Sequence, residues 1–457
     1  EAFVIVNDYR RNNFEPMAYH TKDYGKTWQR IVGKDAVSGY TLSIVQDPQV
    51  PGHLWLGTDH GLYFSIDYGK NWIKWTEGFP GVPVADMKIH PREQDLIIGT
   101  FGRAAWILDD LRPMREVARS NGDILKKPFA TFPSPDAYLA ETRSYQGIRF
   151  IADAEFVGED RPLGALLTVW VKPKDKKAEE APKEEMKDKE EGDDDEAEEQ
   201  PKRKPKGGSD KVKIQVIDSA GDTIRTFTQK VEPGFNRFTW NLRGDGFAFP
   251  SRRERKPDAD PPTGGSVAPG TYTLLMTYGE ETGQTTVTVH ADPRIEYAAS
   301  TWANRDAANA ELEKIVTAAT EGFNRLQEMQ KDMKLVEQAL VHAPDSTQQE
   351  VKKWGKALRD SIAQVEELFM EPEDVKGIKR DPNTLMNSLF GVRRYIGDIN
   401  GEPSQMVGYT MEKARQHTAE VLEKVNKLVT EDFVDYRTKV QAITVKLFRE
   451  MEAVKME

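Results

Sequence analysis

Two octapeptides decide how this chain is read: Thr21-Lys22-Asp23-Tyr24-Gly25-Lys26-Thr27-Trp28 and Ser65-Ile66-Asp67-Tyr68-Gly69-Lys70-Asn71-Trp72. Five of their eight positions are identical, the first is a hydroxyl residue in both, and the two aspartates lie 44 residues apart. Self-similarity at that period predicts a radial or stacked repeat, with one four-stranded sheet per period. The residue types predict a turn. The hydroxyl residue ends one strand. The Asp accepts hydrogen bonds from backbone N–H groups of the corner. The Gly takes a φ > 0 position, and the Trp opens the returning strand and packs between sheets. An aspartate committed to backbone donors is a weak acid–base group. Thr21, Asp23, Gly25, Trp28, Ser65, Asp67, Gly69 and Trp72 are therefore read as architectural.

The two octapeptides resemble the Asp-box (BNR) repeat of sialidase-like and sortilin-like β-propellers. A third stretch, Asp95-Leu96-Ile97-Ile98-Gly99-Thr100-Phe101-Gly102-Arg103-Ala104-Ala105-Trp106-Ile107-Leu108-Asp109-Asp110, is similar to the closing blade of bacterial sortilin N-terminal-like or "glycosyl hydrolase" BNR-repeat proteins. Further on, Gly234–Arg243 and Ala268–Leu274 resemble the FlgD-type Ig-like module that follows the propeller in that group, and Leu385–Gly397 resembles its all-α tail. The resemblance implies a multidomain β plus α chain: a partial Asp-box β-propeller, an Ig-like β-sandwich and a C-terminal helical bundle.

Bulk composition bounds the rest. A chain of 457 residues has room for two to four domains. Cys is absent, which removes disulfides and thiol chemistry. No apolar run approaches the roughly 18 residues needed to span a membrane. A net charge of −11 argues against nucleic acid as a partner. Residues 178–199 hold thirteen Asp/Glu and three Lys. Such a segment cannot offset its ordering entropy and predicts a disordered, solvated insert at 172–210. Weak Ca²⁺ binding by Asp193–Glu196 is the lesser reading, because no glycine-shaped loop fixes those carboxylates.

Taken in order, residues 1–115 read as the C-terminal blades of the propeller and 116–144 as a connector whose Phe129–Pro135 segment lies extended along it. Residues 145–292 read as the Ig-like sandwich and 293–457 as the helical bundle. Within the sandwich, Ser251–Gly265 is expected to be an exposed loop. In the bundle, Asp345 and Ser346 with Gln348 and Gln349 suggest an N-cap and capping box. Ala2–Asn7 already reads as a strand, and only about two and a half blades follow. The expectation is a C-terminal portion whose remaining blades lie in the same precursor or on a separate chain.

Chemistry is sparse. The seven histidines show no metal-ligand spacing, and neither a cofactor nor a metal is expected. His53 and His60 fall on one blade and are expected to form at most a surface pair. Glycoside hydrolysis needs two carboxylates about 5–10 Å apart across a sugar. The candidates are Asp8, Asp59, Asp86, Asp109 and Asp110, with Arg10, Arg11 and Arg103 for a substrate carboxylate, and no arrangement among them is specific. Trp28, Trp72 and Trp106 are expected in the core. Tyr24 and Tyr68 are expected exposed on the turns and, with Arg103, mark a possible ligand surface. The preferred reading is a non-catalytic binding or scaffold protein of the bacterial cell envelope or secreted space (secreted, periplasmic or outer-membrane-associated), taking a protein or glycan ligand. The alternative is a sialidase- or xyloglucanase-like hydrolase with its carboxylates on other blades.

Overall fold

The computed structural model describes residues 1–140, 161–173, 211–372, 381–397 and 401–444. Among them the chain is mixed β and α, with several antiparallel sheets followed by a helical region. The acidic run 178–199 lies outside the described residues, as does Gly147–Ala152, whose sequence reads as a strand of the expected sandwich. The chain divides into two units: Glu1–Tyr138, Arg143–Asn241 and Pro269–His290 in one, Leu139–Thr142, Leu242–Ala268 and Ala291–Glu457 in the other.

The first unit opens with three antiparallel sheets. They are β1 (Ala2–Asp8), β2 (Asn13–Thr21) and β3 (Gln29–Arg30); then β4 (Thr41–Gln46), β5 (Leu54–Thr58), β6 (Gly61–Ser65) and β7 (Ile73–Trp75); then β8 (Val84–Ile89), β9 (Leu96–Thr100) and β10 (Ala105–Leu108). The middle sheet is covered on both faces, which is why β5 reads Leu-Trp-Leu-Gly-Thr with every residue buried instead of alternating. Leu54 and Leu56 pack with Ala18, Ile31 and Val32 of the first sheet and the loop after it. Trp55 and Leu62 pack with Val84, Met87, Leu96 and Ile98 of the third. Side-chain hydroxyls stitch the sheets together: Thr41 Oγ1 donates to Met17 O at 2.8 Å, and Ser43 Oγ to Val84 O at 3.0 Å. At Gly57 a Cβ would stand 2.3 Å from Ser43 Oγ and 2.6 Å from Val84 O, so only glycine fits where the two sheets meet.

A short helix that the sequence reading missed, α1 (Arg112–Arg119), follows β10 and begins with Pro at its first turn. It adds Met114 to the apolar core of the second and third sheets. Within the expected connector, the stretch expected to be extended holds a strand, β11 (Phe129–Thr131), and a second strand, β12 (Ala137–Leu139), follows it. The first pairs with β13 (Ala165–Val171), which pairs with β16 (Gly234–Trp240). The second edges a five-stranded sheet with β14 (Lys211–Ile217), β15 (Thr223–Lys230), β19 (Gly270–Tyr278) and β20 (Glu281–Ala291). Val212, Ile214 and Val216 alternate inward along β14, as do Tyr272, Leu274 and Met276 along β19. Trp240 of the smaller sheet meets Tyr272 of the larger edge-on, ring centroids 5.3 Å apart.

The second unit is mainly helical: α2 (Thr301–Ala339), α3 (Asp345–Phe369), α4 (Leu385–Ile396), α5 (Gln405–Lys427) and α6 (Phe433–Gln441). Apolar residues at helical spacing, among them Leu312, Val316, Phe323, Ile362, Leu389 and Val421, form its core. Thr384 caps α4 through the Asn387 amide at 3.4 Å. The capping box expected before α3 does not form: Asp345 is already helical, and Gln348 donates to Ala343 O instead. Ser251–Gly265, expected as an exposed loop, is exposed over 253–259 and tied down at its two ends. Arg252 donates to Glu371 O at 2.9 Å, and Thr263 starts strand β18 (Thr263–Ser266), which pairs with β17 (Arg243–Asp245). No helix among the described residues is long and apolar enough to cross a membrane.

Candidate functional site

The two octapeptide turns join β2 to β3 and β6 to β7, and they match bond for bond. Thr21 Oγ1 donates to Asp23 Oδ1 at 2.8 Å and accepts from the Gly25 amide at 2.9 Å. Asp23 Oδ1 accepts from the Thr27 amide at 2.9 Å, and Oδ2 from the Thr27 hydroxyl at 2.6 Å. In the second turn Ser65 Oγ donates to Asp67 Oδ1 at 2.8 Å and accepts from the Gly69 amide at 2.9 Å. Asp67 accepts from the Asn71 amide at 2.9 Å and the Asn71 side chain at 2.6 Å. Position seven, Thr in one turn and Asn in the other, is therefore equivalent: both side chains donate to the second carboxylate oxygen.

These bonds stabilise the charged aspartates. The Thr27 hydroxyl, then the Thr27 amide and the Thr21 hydroxyl, hold Asp23 down to about 2. Burial pushes Asp67 upward, but the bonds from Asn71 and Ser65 outweigh it and leave the carboxyl below its ordinary value. Both groups stay ionised and oriented toward their own loops at neutral pH, unlike a general acid or base poised near the working pH.

One feature of the corner is not what residue preferences suggest. Tyr24 and Tyr68 both sit at φ 63°, directly before glycines at 84° and 81°. Two consecutive left-handed residues make the corner, and an aromatic occupies the first of them at a real backbone cost.

The tryptophans depart from expectation. Trp28 is 43% exposed, and its indole N–H turns back to Gly25 O of its own turn at 3.1 Å. Trp72 is half-buried and donates instead to Ile31 O after the first sheet, at 2.8 Å. Trp106 is also half-buried, bonded to Arg103 O at 2.9 Å. The difference is the neighbour each ring finds: Trp72 lies against Ile31 at the end of the first sheet, whereas Trp28 bonds only within its own turn. The tyrosines diverge likewise. Tyr24 is 97% exposed, as expected of a turn tip. Tyr68, also expected exposed, is half-buried, with its amide bonded to Gly52 O and Lys22 Nζ 4.4 Å from its ring centroid.

Between the two turns runs an open groove of about 480 Å³, edged by His20, Lys22, Arg30, Tyr68, Lys70 and Trp72. Lys22 lies over the Tyr68 ring, so one of the groove's cations is already engaged with its aromatic face. Arg103 is exposed on the turn between β9 and β10 and does not line this groove.

The carboxylates considered for hydrolysis are dispersed into local pairs. Asp59 pairs with His60 at 2.8 Å, Asp86 accepts from the Met87 amide, and Asp8 lies 3.9 Å from Arg11. Asp110 accepts from Arg112 at 2.6 Å, and the carbonyls of Asp109 and Asp110 accept from the Arg237 guanidinium. Burial, then the nearby Asp95 charge, pushes Asp109 up. His53 and His60 do not pair: His60 is exposed, whereas His53 is fully buried beside Trp55.

His53 belongs to a cluster that the sequence did not announce. Arg115 of α1, buried, donates through Nε to Asp47 Oδ2 at 2.7 Å, and also to Gln94. His53 Nδ1 lies 3.8 Å from the same Asp47 oxygen. Burial lowers His53 to about 4, with Asp47 pulling upward and Arg115 downward. The buried Arg115–Asp47 pair fastens α1 to the loop between β4 and β5. Among the described residues no group of three or more His, Cys, Asp or Glu is placed to hold a metal ion.

No protein-family model matches the chain. No curated protein matches it either.

Proposed function

We propose that this chain is a non-catalytic binding or scaffold protein of the bacterial cell envelope or secreted space. In this reading it carries the C-terminal blades of an Asp-box β-propeller, an Ig-like β-sandwich and a helical bundle. The observation that carries it is the matched saturation of Asp23 and Asp67 by their own turns, in consecutive antiparallel sheets. A repeat that uses its acids to close corners has an architectural purpose. The groove of Lys22, Arg30, Lys70, Tyr68 and Trp72 between the turns supports a ligand surface for protein or glycan. The three-stranded first sheet, with Val4, Val6 and Trp28 exposed, supports completion by further blades from the same precursor or another chain. The pairing of Trp240 with Tyr272 between two antiparallel sheets supports the Ig-like module.

Screening the natural gene product for glycan binding and hydrolysis tests this reading. Binding without turnover is expected, weakened by Lys22→Ser and Lys70→Ser. Hydrolysis that one Asp or Glu substitution abolishes would overturn it.

A further inference from the structure

The first unit holds a second open space between its first two sheets, at the opposite end of β2 from the Asp23 turn. One wall is the hairpin that joins β1 to β2, and the other is the loop that leads into β4. Phe14, Pro16 and Val37 give the trough apolar surface, while Asn12, Asn13 and Ser38 give it two amides and a hydroxyl. Its volume is about 500 Å³, inside the ~300–1,000 Å³ range of small-molecule sites.

Both walls are held in place by their own bonds. Asn12 takes a left-handed φ of 63°, which Asn tolerates, and its amide donates to Tyr9 O at 3.0 Å. Asn13 Oδ1 accepts from the Glu15 amide at 3.1 Å. Across the trough, Val37 is buried in the core of the first two sheets, and the Ser38 amide donates to the Tyr63 hydroxyl at 3.1 Å. Gly39 sits at φ 81°, where a Cβ would run into the Asp59 carboxylate, so glycine lets this loop pass the turn between β5 and β6. The Phe14 ring is braced from behind: its centroid lies 6.1 Å from that of Tyr40, which stacks on Tyr9 at 4.9 Å. Phe14 is nevertheless 54% exposed. A braced but open ring loses little freedom when something stacks on it.

The chemistry of the lining narrows the ligand. Its charged residues, Lys34 and Glu15, are opposite in sign, and Glu15 already lies 3.3 Å from the Arg30 guanidinium. That balance favours an uncharged ligand. An extended peptide would need a strand edge to pair with. Pro16 has no N–H to offer, and Arg30 takes its carbonyl at 2.9 Å, so the ladder is interrupted there. A sugar ring suits what remains. Its C–H groups carry slight positive charge and seat on the negative face of an aromatic ring. Its hydroxyls donate and accept at once, as do the side-chain amide of Asn and the hydroxyl of Ser.

We propose that the trough formed by Phe14, Asn12, Asn13 and Ser38 binds a neutral oligosaccharide, one sugar ring stacking on Phe14 while its hydroxyls bond to the two amides and the serine. The site is separate from the groove between the octapeptide turns: the two lie toward opposite ends of β2.

Isothermal titration of the full chain with cellohexaose, xylohexaose, mannohexaose and maltohexaose, and with hexagalacturonate as the acidic counterpart, tests the proposal. Saturable binding of at least one neutral sugar is expected, weakened about tenfold by Phe14→Ala and about threefold by Asn12→Ala. Phe14→Tyr, which keeps the ring, should bind as the parent does. Lys22→Ser and Lys70→Ser, in the other groove, should leave this binding unchanged. Circular dichroism of each variant confirms that it is folded. No saturable binding of any neutral sugar up to about 10 mM overturns the site. So does binding that folded Phe14→Ala leaves unchanged. Sugar binding that Lys22→Ser and Lys70→Ser abolish belongs to the other groove, which overturns this site and leaves the binding reading of the chain intact. Preference for hexagalacturonate overturns the neutral assignment.

Discussion

The turn at Asp23 and the turn at Asp67 are the same object in two settings. Their internal hydrogen bonds agree within 0.1 Å. Yet Trp28 bonds its own loop while Trp72 bonds the neighbouring sheet, and Tyr24 stands in solvent while Tyr68 is covered. Local sequence sets the corner, and the neighbour sets what the corner's aromatics do. The sheet carrying the second turn is enclosed on both faces and fastened through Asp47 and Arg115, whereas the first sheet is covered on one face.

The strongest way to break this contrast is to cut the fastening. Arg115→Leu leaves Asp47 buried without its cation and is expected to destabilise the first unit by about 3–5 kcal/mol. Urea denaturation would report the loss. Acrylamide quenching of single-tryptophan variants retaining Trp72 or Trp28 should show Trp72 moving toward the accessibility of Trp28.

Acid should act on the same point more gently. Burial holds His53 near 4 against an ordinary 6.5, so between those values the unfolded chain binds the proton that the folded chain refuses. The stability contributed by neutral His53 is therefore present above pH 6.5 and lost as pH falls toward 4, by about 3 kcal/mol in all. Denaturation midpoints across that range should fall, and His53→Leu should flatten that part of the slope. A slope that His53→Leu leaves intact assigns the acid sensitivity elsewhere. The turn aspartates respond only in stronger acid: Asp23, lowered to about 2, keeps its stabilising bonds until pH falls below 3.8 and through that lower value.

The smallest effect sharpens the comparison most. Trp72→Phe removes a hydrogen bond between sheets and should cost about 1 kcal/mol. Trp28→Phe removes one within a solvated turn and should stay within about 0.5 kcal/mol. Equal costs would mean that the contact from Trp72 to Ile31 contributes nothing to joining the sheets.

The corner itself was legible, because hydroxyl, Asp and Gly each serve a local need that spacing exposes. The left-handed tyrosines were not, since an aromatic at positive φ opposes its own preference and only the finished loop imposes it. The exposure of Trp28 was hidden because both octapeptides place Trp at the same position, and what separates the two rings is the neighbour each one meets. Asp47 and Arg115 lie 68 residues apart, with nothing periodic between them.

Gly57 limits how this molecule can be cut and rejoined. Because a single methyl group there would collide with both Ser43 and Val84, the strands bearing those residues fit one another as a matched set. A chimera that exchanges β5 alone for a foreign strand imports a side chain into a space with no room for one. Recombination at the loops outside β4 and β8 moves the matched surfaces together and keeps the fit.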